Sequence, residues 1–310
     1  MTDHNNEIRL PAQVKRIGMI GLGLMGSAIA RNVLRRGFEL TVLGHRSRDA
    51  LNALVAEGAR EAASAAELAR GADVVLICVT GTPQVRDVFY REGGLLDGAH
   101  AELIVVDSST SDPAFAAEAM EALRAKGAAF VDAPVNRTPK EAAEGRLNVL
   151  AGGDAQAVDA LRPLFAAYGE TVHHLGAHGS GYRAKLIHNY IAQANSAVLA
   201  EAFGTAAKAG LDLTAFADVC RLSGAHSKSF DRLIPYLLEG DESRQQFALR
   251  NAAKDMRSYA ALATDLSSTA IVAEAVRQIY VLACNLGHGE EFVPRLFDVY
   301  AELNGQAPRK

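Results

Sequence analysis

Residues 16–37, RIGMIGLGLMGSAIARNVLRRG, carry the strongest indication of the fold. An apolar run ends at Ile20, and Gly21, Gly23 and Gly26 follow before a helical pattern begins. The first glycine suits a tight turn, the second lets the backbone approach a pyrophosphate, and the third permits close helix–strand packing. Free N–H groups and the dipole at a helix N-terminus attract phosphate. The loop predicts a dinucleotide site made by Gly21, Leu22, Gly23, Leu24, Met25 and Gly26.

Apolar runs alternate with alanine-rich amphipathic segments as far as about residue 175. The runs are short and nearly continuous, as in buried strands of a parallel sheet; they are RIGMIG, ELTVLG, DVVLICV, LIVVDSS, AFVDAP and LNVLAGG. Such alternation predicts βαβ units and a doubly wound α/β sheet. From residue 176 the pattern is helical throughout, beginning with a long unbroken helix. We expect one domain over residues 1–175 and an all-α domain over residues 176–310.

Composition excludes several classes of partner. The net charge of −4 leaves no basic excess for nucleic acid or an anionic membrane. No run is long and apolar enough to span a bilayer, and the first residues lack the apolar core of a secretion signal. Cys78, Cys220 and Cys284 are far apart, which is typical of a reducing compartment and gives no metal site. We therefore expect a cytoplasmic protein without a metal.

The end of the second predicted strand indicates which dinucleotide binds. An acid here would hold the ribose 2′-OH of NAD, whereas an arginine suits the 2′-phosphate of NADP. The segment reads TVLGHRSRD, with no acid before Asp49. It favours NADP(H) over NAD(H), with His45, Arg46 and Ser47 as contacts. The alternative is a solvated loop that happens to carry two arginines.

Further motifs follow in a recognisable order: VDSSTSDP, VDAPV…EGRLNVLAGG, GSGYRAKLIHNY and NAAKDM. With the glycine loop they resemble the β-hydroxyacid dehydrogenases, a family that includes 3-hydroxyisobutyrate dehydrogenase and tartronate semialdehyde reductase. The resemblance covers nearly the whole chain. It implies an N-terminal Rossmann domain joined by a long helix to an all-α domain, and a homodimer or homotetramer. It also implies hydride transfer between a nicotinamide and a short anionic aldehyde or its hydroxy acid.

The family's lysine motif, GxGxxxKxxxN, falls on Gly179, Gly181, Lys185 and Asn189. Lys185 and Asn189 are four residues apart, so they share one helix face. An ammonium near a carbonyl oxygen can stabilise the developing alkoxide and supply a proton, while an amide holds the hydroxyl in register. The resemblance therefore assigns catalysis to Lys185 and Asn189. Without it, Lys185 would be interpreted as a solvent-facing residue of an amphipathic helix.

Other family positions complete the expected site. Ser109 corresponds to a substrate-binding position and Thr110 to a cofactor-binding one, although both are also suitable caps for the helix near Pro113. Val79 and Thr80, in the loop after the third predicted strand, should pass close to the cofactor. Lys254 and Asp255 match a second Lys-Asp pair of the family that lies near the cofactor, and Lys254 is assigned to the cofactor.

The chain departs from the family after DAPV, where most members have Ser-Gly-Gly. Here Asn136, Arg137 and Thr138 follow, and we assign all three to the substrate. A guanidinium and a hydroxyl suit a three-oxygen anion, and the arrangement PV-x-RT resembles the 3-sulfolactaldehyde reductases of the family. His188 and Tyr190, on either side of Asn189, resemble that group too and are assigned to the substrate.

Three interpretations of Arg137 stay open at this stage. It can bind a sulfonate, or the carboxylate of succinic or another semialdehyde, such as tartronate semialdehyde or a 3-hydroxyisobutyrate-type substrate. It can also form a structural ion pair with Glu141 or Glu144. Two other functions are less favoured. Imine reductases usually lack the lysine at position 185, and an NADP(H) sensor has no need of a proton donor there.

Overall fold

The computed structural model describes residues 9–45 and 48–306. They fall into two compact units, one up to Lys185 and one from Leu186. The strands of the first unit are β1 (Arg16–Ile20), β2 (Glu39–Leu43), β3 (Arg60–Ala62), β4 (Val74–Ile77), β5 (Ile104–Asp107), β6 (Ala129–Asp132), β7 (Val135–Asn136), β8 (Leu147–Gly153) and β9 (Gly169–His174). Its helices are α1 (Leu24–Arg35), α2 (Asp49–Ala56), α3 (Ala65–Arg70), α4 (Thr82–Tyr90), α5 (Leu95–Gly98), α6 (Pro113–Arg124), α7 (Pro139–Ala143), α8 (Ala155–Ala160) and α9 (Arg162–Tyr168).

The helix α10 (Ser180–Lys208) begins in the first unit and continues into the second. The remaining helices are α11 (Leu213–Arg221), α12 (Lys228–Glu239), α13 (Leu249–Asp265), α14 (Ile271–Asn285) and α15 (Leu296–Leu303). Two short 3₁₀ helices, His288–Glu290 and Val293–Arg295, precede α15. In the described part of this unit, strand-like pairing is limited to a single bridge between Ala248 and Phe292.

The sheet of the first unit has the strand order β3-β2-β1-β4-β5-β6-β8, with β7 and β9 paired to β8. Six neighbouring strands, in the order β3, β2, β1, β4, β5 and β6, are parallel. Both faces are buried, because alternate residues of one strand enter different apolar clusters. Val74 and Leu76 pack on one face, and Val75 and Ile77 on the other. This explains why the strands read as continuous apolar runs.

The strands β6 and β7 form one line along β8. Asp132 lies opposite Gly152 and Val135 opposite Val149, both in antiparallel pairing. Between them the N–H of Leu150 donates to the carbonyl of Pro134 at 3.0 Å, so the register is unbroken. The segment DAPVNRT therefore runs along β8 as far as Asn136 and then leaves the sheet.

The predicted fold is confirmed: a doubly wound α/β unit is followed by a helical unit, and a long helix joins them. The run LNVLAGG, which was grouped with runs typical of a parallel sheet, forms β8, and β8 pairs antiparallel with β6, because an apolar run carries no signal of its direction. Three strands, β3, β7 and β9, were not predicted. The loop expected after the third predicted strand, over residues 79–85, ends earlier than predicted, because α4 begins at Thr82. No described helix is long and apolar enough to cross a membrane.

The carboxylate of Asp132 fixes the start of α10. It lies at the end of β6, is fully buried, and accepts the backbone N–H groups of Gly179 at 2.7 Å and Tyr182 at 3.0 Å. The approach is close: a Cβ on Gly181 would lie 2.3 Å from the carbonyl oxygen of Leu150. Burial raises the pKa of Asp132 to about 7, against the opposing effect of these backbone donors.

Stability should therefore depend on pH through Asp132. Because its pKa in the folded protein lies above the ordinary value of 3.8, the folded state binds the proton more tightly. Stability is then lost as pH rises from about 4 to about 7. Asp132→Asn cannot titrate, so the melting temperature of wild type minus that of the variant should fall across this range.

The control is Asp154→Asn, since Asp154 caps α8 in similar geometry but is exposed. This variant should retain the pH dependence of the wild type. If the melting temperatures of wild type and Asp132→Asn change with pH in parallel from pH 4.5 to 8, the prediction is contradicted.

Candidate active site

The glycine loop has a distinct geometry at each glycine. Gly21 has φ +95°, and a Cβ there would lie 2.2 Å from the carbonyl oxygen of Cys78. A Cβ on Gly26 would lie 1.9 Å from the carbonyl oxygen of Gly21. Only glycine satisfies either position. A Cβ on Gly23, by contrast, would meet no described atom within 4 Å.

This open space fits a dinucleotide phosphate. Gly23 is the N-cap of α1, and no side chain of the described residues caps the helix there. The N-terminal end of α1 thus offers N–H groups and a favourable dipole to an anion. Leu22 and Met25 pack partly against the core, whereas Leu24 is exposed beside the open position.

At the end of β2, Gly44 and the exposed His45 occupy the position where dinucleotide-binding sheets contact the ribose. Arg46 and Ser47, two of the predicted contacts, lie outside the described residues. The guanidinium of Arg48 donates to the carboxylate of Glu61 on β3 at 2.8 Å. Both side chains are partly exposed, and Glu61 brings a carboxylate close to Gly44.

Ser109 joins the ends of two neighbouring strands. Its hydroxyl accepts the N–H of Val79, after β4, at 2.9 Å, and its own N–H donates to Asp107 at the end of β5 at 2.8 Å. It does not cap the following helix, because Asp112 caps α6. Thr80, which is exposed, and Thr110, which is half-buried, follow these two strands.

Asp107 was not singled out from sequence, yet it organises this edge of the sheet. It is fully buried and accepts the hydroxyls of Tyr182 at 2.5 Å and Ser111 at 3.1 Å. Burial raises the pKa of Asp107, and that of Tyr182 as well. Tyr182 lies in the first turn of α10, so Asp107 provides a second tie between the sheet and that helix.

Lys185 lies one turn further along α10, and its ammonium reaches the DAPVN segment. The Nζ atom donates to the carbonyl oxygen of Val135 at 2.8 Å and to Oδ1 of Asn136 at 2.9 Å. Asn136 is buried, and Lys185 is half-buried. The structure thus brings together the predicted catalytic lysine and one predicted substrate residue, 49 positions apart.

The other two residues of the loop make different contacts. Arg137 has φ +88°, which costs a non-glycine residue about 1–2 kcal/mol. Its Nη1 donates to the carbonyl of Arg146 at 2.7 Å and forms an ion pair with Glu170. Thr138 is the N-cap of α7, and its hydroxyl and backbone N–H both donate to the carboxylate of Glu141, three residues further on. An ion pair of Arg137 exists, but with Glu170 rather than with Glu141 or Glu144.

In the second unit, Asn189 is fixed by a buried acid. Its Nδ2 donates to Oδ2 of Asp255 at 2.6 Å, and both residues are buried. The other carboxylate oxygen of Asp255 lies 3.1 Å from Nζ of Lys254. Nδ1 of His188 lies 3.1 Å from Oδ1 of Asn189. Three predicted site residues therefore form one cluster around Asp255.

Tyr190 belongs to a separate contact in the same unit. Its ring stacks on Tyr259 with centroids 4.3 Å apart and an interplanar angle of 16°. Burial raises the pKa of Tyr190. Among the described residues, no three His, Cys, Asp or Glu side chains come together as metal ligands.

The acids that organise these clusters were missed as site residues from sequence. Asp107 and Asp132 each end an apolar strand, at the edge of the sheet where ligands bind. That position was an available signal. Asp255 was noted only as the neighbour of Lys254 in the family motif, and its contact with Asn189, 66 residues away, was not predicted.

Comparison with known proteins accounts for almost the whole chain. The family model for the NAD-binding domain of 6-phosphogluconate dehydrogenase matches residues 16–176. A second model, for the NAD-binding of NADP-dependent 3-hydroxyisobutyrate dehydrogenase, matches residues 179–294.

Individual relatives agree with these matches. The chain is 33% identical to 3-sulfolactaldehyde reductase of Escherichia coli, over 89% of this chain and 92% of that protein. It is 30% identical to L-threonate dehydrogenase of Cupriavidus necator, over 94% and 99% of the two chains. A crystal structure of 3-hydroxyisobutyrate dehydrogenase from Salmonella typhimurium, 31% identical, superposes with a TM-score of 0.82 over 92% of this chain and 99% of that one. The chain therefore belongs to the β-hydroxyacid dehydrogenase family of NAD(P)-dependent oxidoreductases, which act on the CH–OH group.

Proposed function

We propose that this chain is an NADP(H)-dependent reductase of short anionic aldehydes, and in reverse a dehydrogenase of the matching hydroxy acids. The observation that carries the proposal is the ammonium of Lys185, which two neutral oxygens hold at the end of β7. The same unit contains the glycine loop, with open space at Gly23. A proton donor and a dinucleotide site are what a carbonyl reductase needs.

When bound, the nicotinamide supplies the hydride to the carbonyl carbon. Lys185 then hydrogen-bonds the carbonyl oxygen, stabilises the negative charge that develops there and donates a proton to it. Asn189, oriented by Asp255, presents its Oδ1 as an acceptor for the hydroxyl of the product. Ser109, the loop 136–138, His188 and Tyr190 are the proposed surroundings of the substrate. Val79, Thr80, Thr110 and Lys254 are proposed to contact the cofactor.

The anionic character of the substrate is supported by the relatives. Sulfolactaldehyde carries a sulfonate, and threonate and 3-hydroxyisobutyrate each carry a carboxylate. A sulfonated aldehyde is our first candidate, since the relative with this substrate is 33% identical. Succinic or tartronate semialdehyde is the second. Three unpaired cysteines agree with a cytoplasmic enzyme.

Lys185→Met tests the reaction. The variant keeps an unbranched side chain one atom shorter but loses the ammonium, so kcat for aldehyde reduction should fall about 10²–10⁴-fold while NADPH still binds. Initial rates with matched three- and four-carbon aldehydes, sulfonated and carboxylated, measure this and rank the substrates. Lys228→Met, at a side chain 90% exposed, is the control and should keep wild-type rates. NADPH binding without turnover of any aldehyde by wild type would instead favour an NADP(H) sensor.

The preference for NADP(H) is proposed from the end of β2. Arg48 there has a guanidinium that can hold a 2′-phosphate, and Glu61 competes for it. Arg48→Gln should raise the KM for NADPH about tenfold or more and change the KM for NADH less than threefold, since a charge-assisted bond contributes about 1.5–3 kcal/mol. Glu61→Gln should shift the preference toward NADPH. An unchanged NADPH to NADH ratio in both variants would contradict this assignment.

We also propose a homodimer or homotetramer. The second unit exposes large apolar side chains: Ile187, Ile191 and Val198 on α10, Leu222 after α11, and Ile271 on α14. Apolar surface of this kind is typical of protein–protein contacts. Light scattering should give two or four times the chain mass, and Ile191→Glu together with Val198→Glu should reduce it. A monomeric wild type would contradict the proposal.

A further inference from the structure

We propose that Arg137 is a positioning residue that holds Asn136 against Lys185, and that Asn136 is the residue of this loop that acts at the reacting centre. The inference rests on the proposed function, because it concerns how the loop 136–138 serves aldehyde reduction. The inference assigns different tasks to Asn136 and Arg137, which are adjacent in the sequence.

The contacts of the two side chains differ in direction and in partner. Asn136 is buried on β7, and its Oδ1 accepts from Nζ of Lys185 at 2.9 Å. Arg137 turns its guanidinium to the carbonyl of Arg146, just before β8, at 2.7 Å. The same Nη1 forms an ion pair with Glu170, in β9.

These contacts make Arg137 a strap across β8. One side of β8 pairs with β7 and the other with β9, so a bond from residue 137 to residue 170 connects strands that do not pair with each other. The β8–β9 register is irregular at this point: Asn148 lies opposite Thr171 and Leu147 opposite Gly169, which leaves Glu170 as the extra residue. The strap therefore ends on a residue without a partner in the ladder.

The strap holds a residue whose backbone conformation is unfavourable. Arg137 has φ +88°, a conformation that glycine adopts readily and arginine does not. The backbone here thus keeps a glycine-like shape, although the side chain is arginine. Thr138 anchors the next position through Glu141. With residues 137 and 138 both tied to the protein, Asn136 is held where its amide meets Lys185.

The substrate-binding alternative makes a different prediction. A guanidinium that reads the anion would matter for charged aldehydes only, and Glu170 would compete with the substrate. A strap matters equally for charged and uncharged aldehydes, and Glu170 supports it. Variants at both ends of the ion pair therefore distinguish the two roles.

The kinetic test compares a carboxylated or sulfonated aldehyde with the uncharged aldehyde of equal chain length, with NADPH. Arg137→Gly, which relieves the backbone conformation, should lower kcat about fivefold or more on both aldehydes and leave their ratio of kcat/KM within twofold of wild type. Glu170→Gln should act in the same direction, and the double variant should be no worse than Arg137→Gly alone. Glu144→Gln removes a carboxylate that pairs with Arg146 beside the same loop and should have no effect.

A second readout needs no turnover. Acetylation of Lys185 by limiting acetic anhydride, quantified by peptide mass spectrometry, should be about threefold faster or more in Asn136→Ala, Arg137→Gly and Glu170→Gln, because each change removes or loosens the Asn136 oxygen, one of the acceptors of the ammonium. Acetylation of Lys228, 90% exposed, is the internal standard and should not change.

Unchanged labelling of Lys185 in Arg137→Gly and Glu170→Gln would overturn the proposal. So would a tenfold selective loss on the charged aldehyde in Arg137→Gly with no loss in Glu170→Gln, since the guanidinium would then read the anion. If wild type reduces no aldehyde, the proposed function fails, and the labelling result alone decides whether the strap exists.

Discussion

The pair of hydrogen bonds between the Asp132 carboxylate and the start of α10 fixes that helix, and with it Lys185, against the sheet. It connects the end of β6 to the backbone N–H groups of Gly179 and Tyr182. Gly152 and Gly181 permit the contact, since a Cβ on either would lie within 2.7 Å of atoms across it. The start of the helix is thus fixed against the sheet, and Lys185 lies one turn further along it. Gly181 of the GSG motif and Gly152 of the AGG motif are therefore required sterically, in addition to matching the family pattern.

Two buried carboxylates at one helix start need compensation, and the structure provides it. Each of Asp107 and Asp132 accepts at least two hydrogen bonds, and the N-terminal dipole of α10 favours negative charge beside it. Burial nevertheless raises both pKa values. The start of α10 is therefore held by two carboxylates whose pKa values depend on their surroundings. Removing one hydrogen-bond donor breaks a bond and also changes the pKa of the carboxylate that accepted it.

Sequence predicted the elements that local physics specifies. The apolar strands and the helices of the second unit follow from periodicity. The glycine loop follows from the positive φ of Gly21 and from the close packing at Gly26. The strands β7 and β9 were missed because one has two residues and the other, GETVHH, is largely polar and partly exposed. The Asn189–Asp255 bond depends on residues far apart in the chain, and no local pattern indicates it. Lys185 and Asn136 were both proposed as site residues, but their direct contact was not.

The loop after DAPV shows why a motif alone does not assign a role. The letters NRT place one amide and one guanidinium side by side, yet their partners differ. Two of the acceptors of the Lys185 ammonium are neutral oxygens, so they hold it without cancelling the charge that an alkoxide would need. The Arg137 guanidinium meets a carboxylate 33 residues away, which balances its charge. The residue that balances the charge of Arg137 thus stands at position 170, which the motif does not include.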